Sequence, residues 1–303
     1  MVDTSTGKIL IFGVLGQVGG ALCARLGARA VGLTPADADF LNPQSLSRVL
    51  DEHKPSAVIN AAAYTAVDQA ESDRDRAFLL NAESPGVLAR WCATHETPFI
   101  HYSTDYVYPG QCDHVMTEQE PCGPLNVYGE SKLAGDRAVA AAGGRYLIFR
   151  TSWVYDATGN NFFRTMLRLG QDREKLRVVA DQTGSPTFAG HIADLTIETM
   201  DRFLIPGRAA SGVYHLCNSG FTSWRAFAEV IFQQAREAGI PLKVRSVEPL
   251  TTDEYPTPAR RPLNSRLSLE KFQATFGLIP PTWQQGLEAC MRDYGLNTTR
   301  SSS

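Results

Sequence analysis

Between Lys8 and about Thr151, short β-branched runs alternate with stretches of helical spacing, separated by glycine or polar turns. That pattern predicts an α/β fold whose core is a doubly wound parallel sheet. After Trp153 the alternation loosens into turns rich in Gly, Asn and Pro with isolated amphipathic helices, which predicts a smaller C-terminal α/β lobe over the carboxyl edge of the sheet. With 303 residues, 43% hydrophobic and 20% charged, the chain can bury one large core or two smaller ones. The expected division is 1–155 and 156–303, with the second part free to interleave with the first.

The expected strands are Ile9–Phe12, Arg29–Leu33, Ala57–Asn60, Phe99–Ser103 and Tyr146–Thr151. Val18–Leu26, Leu46–Glu52, Arg74–Leu80, Pro85–Thr94 and Tyr128–Ala140 carry helical apolar spacing and are long enough to cross between parallel strands. In the second lobe the helical segments are His191–Phe203, Trp224–Ala238, Leu267–Thr275 and Trp283–Tyr294. No internal repeat interrupts this order.

Composition excludes several functions. A net charge of −3 gives no global attraction to nucleic acid or to an anionic membrane. Residues 1–8 are polar and the first apolar run is broken by Gly13, so neither a secretory signal nor a membrane span is expected, and the cytoplasm is the expected location. Six cysteines and six histidines are scattered without metal-ligand spacing, so the thiols are expected to be reduced and no metal is expected.

Gly13-Val14-Leu15-Gly16-Gln17-Val18-Gly19 follows the first strand and opens the first helix, where glycines let the backbone approach a pyrophosphate at a helix N-terminus. The sheet is therefore expected to be of the Rossmann type, with a nicotinamide dinucleotide as cofactor. An acid at the end of the second strand would select NAD, and Thr34 stands there instead. NADPH is the expected cofactor, with NADH accepted. Asp39 and Phe40 could contact the adenine, and Ala62, Ala63, Tyr64 and Thr65 follow a strand end whose small residues let a cofactor lie on the backbone.

Tyr128 and Lys132 stand four apart on one helical face, where an ammonium would favour a phenolate and ready the phenol for proton transfer. Upstream, Tyr102-Ser103-Thr104-Asp105 runs past the sheet edge, with Tyr102 on the cofactor side and the Thr104 hydroxyl facing a bound carbonyl. A glycine-rich turn, a hydroxyl at this strand end and a Tyr-x-x-x-Lys helix, in this order, resemble the short-chain dehydrogenase/reductase superfamily over the first 155 residues.

The resemblance narrows with Gly16-Gln17-Val18-Gly19, Asn60-Ala61-Ala62-Ala63, Tyr102 to Val107, Leu125 to Gly129, Arg150 to Tyr155 and Pro256 to Pro262. Together these are similar to the dTDP-4-dehydrorhamnose reductase family over nearly the whole chain. The resemblance implies reduction of dTDP-4-dehydro-L-rhamnose to dTDP-L-rhamnose. It implies Thr104, Tyr128 and Lys132 as the catalytic set, with Asp105 and Trp153 near the sugar. Some relatives carry a glutamate early in the first helix that joins a magnesium-bridged dimer. Ala21 stands at that position here, so a homodimer remains an open expectation and a bridging metal is not expected.

Arg260 and Arg261 follow two prolines and could grip a diphosphate bidentately. The expected partner is thus a small nucleotide sugar. Two other readings stay open on sequence alone: an epimerase or dehydratase that retains NAD, and a non-catalytic regulatory subunit on the same fold.

Overall fold

A computed structural model describes residues 7–203 and 211–300. Its main sheet has six strands: β1 (Ile9–Phe12), β2 (Ala30–Leu33), β3 (Ala57–Asn60), β4 (Phe99–Thr104), β5 (Tyr146–Thr151) and β6 (Gly212–His215), ordered β6-β5-β4-β3-β1-β2. Every neighbouring pair is parallel. The order reverses between β1 and β3, which opens a crevice at their carboxyl ends.

Both faces of the sheet are covered, and the strand period of two sorts the side chains. Ile9, Ile11, Ile59, Leu147 and Phe149 point to one face, where α1 (Gln17–Leu26) supplies Leu22 and Leu26. Leu10, Phe12, Val58, Phe99 and Ile148 point to the other. There they meet Leu46 and Leu50 of α2 (Pro43–His53), Leu88 and Cys92 of α3 (Ser84–Thr94) and Val139 of α4 (Val127–Ala142). Strands apolar on both sides are what a covered parallel sheet requires.

Two segments from beyond residue 155 return to this unit. Helix α5 (Ala189–Phe203) lays Ile192, Met200 and Phe203 on the α1 face, and β6 pairs with β5. The expected helices Arg74–Leu80 and Pro85–Thr94 are one rod, joined by a π turn at Leu79–Glu83. Pro85 has no N–H to continue the ladder, and the widened turn absorbs that gap. The rest of the second lobe has its own core, in which Phe163, Phe188, Phe227, Phe232 and Leu287 are buried.

Candidate functional site

Gly13 leaves β1 with φ +84°, and a Cβ there would overlap the backbone of Ala61 and Ala62 beyond β3. Only glycine allows the two strand exits to converge so closely. Gly16 caps α1 from extended backbone and donates its N–H to the Gly13 carbonyl at 3.0 Å. No side chain caps the helix and its first turn holds no acid. The positive end of α1 therefore faces the crevice with its donors free of carboxylate competitors, which fits a dinucleotide pyrophosphate. Gly19 is buried and Val18 packs on the core beneath, while the Gln17 side chain accepts from Asn161 Nδ2 at 2.9 Å and ties this turn to the second lobe.

Asn60 ends β3 fully buried, and its Oδ1 accepts from the Ala62 N–H at 3.0 Å. Tyr64 N–H donates to Asn81 Oδ1 at 2.8 Å, and Asn81 Nδ2 donates to the Tyr64 carbonyl and to Ser131 Oγ of α4. Asn81 lies in the π turn, so the irregular helix anchors the loop carrying Ala62, Ala63, Tyr64 and exposed Thr65. An isolated Asn inside an apolar helix gave no sequence signal of that role.

At the end of β4, Thr104 is buried, and its hydroxyl accepts from the Tyr106 N–H and donates to Asp105 Oδ1 at 3.0 Å. Asp105 also accepts a short hydrogen bond from Ser265 Oγ of the second lobe. Burial pushes the Asp105 carboxyl up to about 6, against the two hydroxyl bonds that lower it. Helix α4 starts at Asn126, whose side chain caps Gly129 N–H at 2.8 Å. A Cβ on Gly129 would overlap the Tyr106 carbonyl, so this glycine lets the first turn of α4 press against the exit of β4 and brings Tyr128 to Thr104. The Tyr106 and Tyr128 rings meet edge to face at 5.5 Å.

Burial pushes the Tyr128 phenol up to about 12, opposed by the Thr104 hydroxyl and reinforced by the charges of Asp105 and Asp136. Burial is the largest influence on the phenol in this structure, and the influence that lowers it is the Thr104 hydroxyl. Lys132 is 2% exposed, donates its Nζ proton to the Tyr102 carbonyl at 2.6 Å, and is pulled down to about 8 by burial. Sequence spacing places both residues on one helical face but cannot say where the long lysine chain turns.

Comparison with known proteins narrows the reading. A family model described as the RmlD substrate binding domain matches residues 7–296. The dTDP-4-dehydrorhamnose reductase of Escherichia coli K12 is 46% identical over 292 residues, 94% of this chain and 97% of that one. That of Burkholderia thailandensis is 46% identical over 293 residues, 94% and 98%. The chain belongs to the dTDP-4-dehydrorhamnose reductase family. The crystal structure of the Bacillus anthracis dTDP-4-dehydrorhamnose reductase in complex with NADP superposes with a TM-score of 0.88 at 34% identity, covering 95% of this chain and 99% of that one.

Within this dTDP-4-dehydrorhamnose reductase fold, several residues expected near the cofactor also make internal contacts. Phe40 gives its ring to the core, edge-on to Phe12 at 5.5 Å, and Asp39 turns back to accept from Leu41 N–H at 2.8 Å. The Tyr102 phenol bonds Thr196 of α5 at 2.7 Å, and its carbonyl accepts from Lys132. Thr34 is not remote from a carboxylate: its N–H and hydroxyl donate to Asp37 Oδ2 at 2.9 and 2.7 Å, which holds Asp37 below the usual carboxylate range. A tight turn folds that acid back onto the end of β2.

In the second lobe, Arg261 is engaged rather than free. Its guanidinium grips both oxygens of Asp68, at 3.0 and 2.8 Å, and also donates to the Ala259 carbonyl. Arg260 is exposed and has no ion-pair partner among the described residues, while its carbonyl accepts from Asn126 Nδ2 at 2.7 Å. Trp153 holds φ +49°, a backbone state that a bulky residue rarely adopts, and stacks on Trp224 at 3.6 Å.

Proposed function

We propose that this chain reduces the C4 keto group of dTDP-4-dehydro-L-rhamnose to the alcohol of dTDP-L-rhamnose, with NADPH as reductant and NADH accepted. The observation that carries this reading is the meeting of Thr104 and Tyr128 at the carboxyl edge of the sheet, beside the uncapped start of α1. The first 155 residues with α5 and β6 would hold the cofactor, and the remainder of the second part the sugar nucleotide. The cytoplasm suits a chain in which no described helix is long and apolar enough to cross a membrane.

Bound NADPH supplies the hydride; the chain's residues supply the proton and the alignment. Tyr128, protonated throughout the neutral range, donates its proton to the C4 oxygen as negative charge develops there. Thr104 turns its single hydroxyl proton from Asp105 Oδ1 to the same oxygen and fixes its distance from the phenol. The phenolate left behind recovers its proton from solvent, so each turnover consumes one hydride and one proton. Optical measurement of NADPH oxidation with and without the 4-keto sugar nucleotide tests the reading, and NADPH oxidation no faster with the sugar nucleotide than without it would refute it. A tightly held NAD in the purified protein would favour an epimerase or dehydratase instead.

The two arginines now carry different expectations. Arg260 is the free cation proposed for the diphosphate, so Arg260→Ala is expected to raise KM for the sugar nucleotide about tenfold with kcat nearly unchanged. Arg261→Ala breaks the Asp68 tie instead and should disturb the loop as a whole, changing kcat and KM together. Equal effects of the two variants would sink this division.

Cofactor choice turns on Asp37. If its carboxylate lies beside the adenosine ribose, Asp37→Ser is expected to raise the NADPH to NADH ratio of kcat/KM by about two- to fivefold, the modest size reflecting a solvent-screened charge. An unchanged ratio places the acid away from the 2′-phosphate.

A further inference from the structure

Lys132 is seated by two groups of β4 that differ in what they accept. The Tyr102 carbonyl takes a proton from Nζ at 2.6 Å, and on another side the His101 Nε2 lies 3.4 Å from Nζ. His101 is fully buried, and its Nδ1 lies 3.1 Å from the side-chain nitrogen of Asn60. The orientation of that amide is fixed, because Asn60 Oδ1 is taken by the Ala62 N–H. Asn60 Nδ2 can only donate, so His101 Nδ1 must accept, and the ring proton must sit on Nε2. A buried imidazole beside a lysine is also held well below its usual pKa and stays neutral.

The consequence is a contact that depends on the charge of the lysine. An ammonium has only donors, so Nε2–H and Nζ–H₃⁺ oppose each other, whereas a neutral amine offers its lone pair to Nε2–H. We propose that His101, locked in one tautomer by Asn60, is a positioning residue for Lys132: it admits the neutral amine to the buried seat and turns the ammonium out toward the reacting groups. Its purpose in turnover rests on the reductase reading, although its test does not.

The other groups around Lys132 do not replace this effect. Tyr128 stands one turn before it on α4 and Asp136 one turn after, and Asp136 favours the ammonium. Arg150 of β5 ion-pairs with Asp136 at 3.0 Å and so blunts that attraction. Burial acts against the charge. Among the described residues facing Nζ, His101 alone distinguishes the two forms through a hydrogen bond that one can make and the other cannot.

The experiment is an NMR titration of the full chain, isotopically labelled at lysine Cε and at the histidine ring nitrogens, with Lys132→Arg identifying the Lys132 resonance. In the wild type, the His101 ring should be neutral with its proton on Nε2, and Lys132 should titrate below the other lysines. His101→Gln, which can present a carbonyl to Nζ, should raise the Lys132 midpoint by about one pH unit, a tenfold change in the protonation equilibrium. Asn60→Asp should accept from the ring, move the proton to Nδ1, turn Nε2 into an acceptor and shift Lys132 the same way. The alkaline limb of the kcat/KM profile should move with the midpoint. A wild-type proton on Nδ1, or Lys132 midpoints unchanged in both variants, overturns the proposal, and the wild-type tautomer decides it even if one variant fails to fold. Absence of reductase activity together with the expected titration would instead refute the functional reading and leave the tautomer lock standing.

Discussion

Tyr128→Phe is expected to lower kcat by about a hundredfold or more while leaving KM for the sugar nucleotide within about threefold, the pattern of losing a general acid that acts only in the transition state. The substitution keeps the ring and therefore its edge-to-face contact with Tyr106 at 5.5 Å. What it removes is the single proton beside Thr104, and without that proton the developing alkoxide must be neutralised from solvent. With the phenol held at about 12 and Lys132 at about 8, the two groups act on different parts of the pH profile. Tyr128 stays protonated across the neutral range and contributes no limb there. Lys132 loses its charge as pH rises through about 8; its ammonium is expected to stabilise the phenolate that forms as Tyr128 gives up its proton, so kcat/KM of the wild type should be level below that value and fall above it. Near wild-type turnover by the Phe variant would remove Tyr128 from the mechanism. An activity that instead rises through pH 8 would reverse the role given to the lysine charge.

Much of this site is written in short sequence intervals. The glycine spacing from Gly13 to Gly19 and the four-residue step from Tyr128 to Lys132 are local, and each sits on an element whose period identifies it. β1, β3 and β5 match the expected bounds, because strands buried on both faces are uninterrupted apolar runs. β6 was not legible: Gly212–His215 is four residues long and its partner β5 lies more than sixty residues earlier. The polar contacts that join distant segments were equally silent. Asp68 meeting Arg261, Ser265 meeting Asp105 and Asn60 meeting His101 are products of topology, and no spacing rule connects them. Phe40 and Tyr102 pack their rings into the core, a demand of the sheet that their place beside a motif does not reveal.

Arg150 shows how such unseen contacts carry stability, and Arg150→Met is expected to destabilise the fold by about 3 to 5 kcal/mol. The guanidinium is 5% exposed, bonds Asp136 Oδ2 at 3.0 Å through Nε and donates to the Tyr108 hydroxyl oxygen at 2.7 Å through Nη1. Tyr108 in turn donates to His215 Nε2 at 2.7 Å, and His215 Nδ1–H reaches the Ser268 carbonyl at 3.0 Å, so the chain of donors runs in one direction across the sheet. Methionine fills similar volume but leaves Asp136 ionised in the core with only the weaker attraction of Lys132 to offset its charge. Burial already raises the Asp136 pKa, and Arg150 is the largest influence holding it down. Without Arg150 the folded-state pKa rises further above the unfolded value. The stability tied to that group is then present at low pH and lost as pH rises through the new pKa. Chemical denaturation of the variant should therefore show a larger deficit near about pH 8 than near about pH 5, where the carboxyl can protonate. Adding Asp136→Leu should recover much of the loss at the higher pH, because an apolar pair of similar volume has no buried charge to compensate. A deficit equal at both pH values, or a double variant no more stable than Arg150→Met, would show that the pair's contribution lies in packing and not in charge.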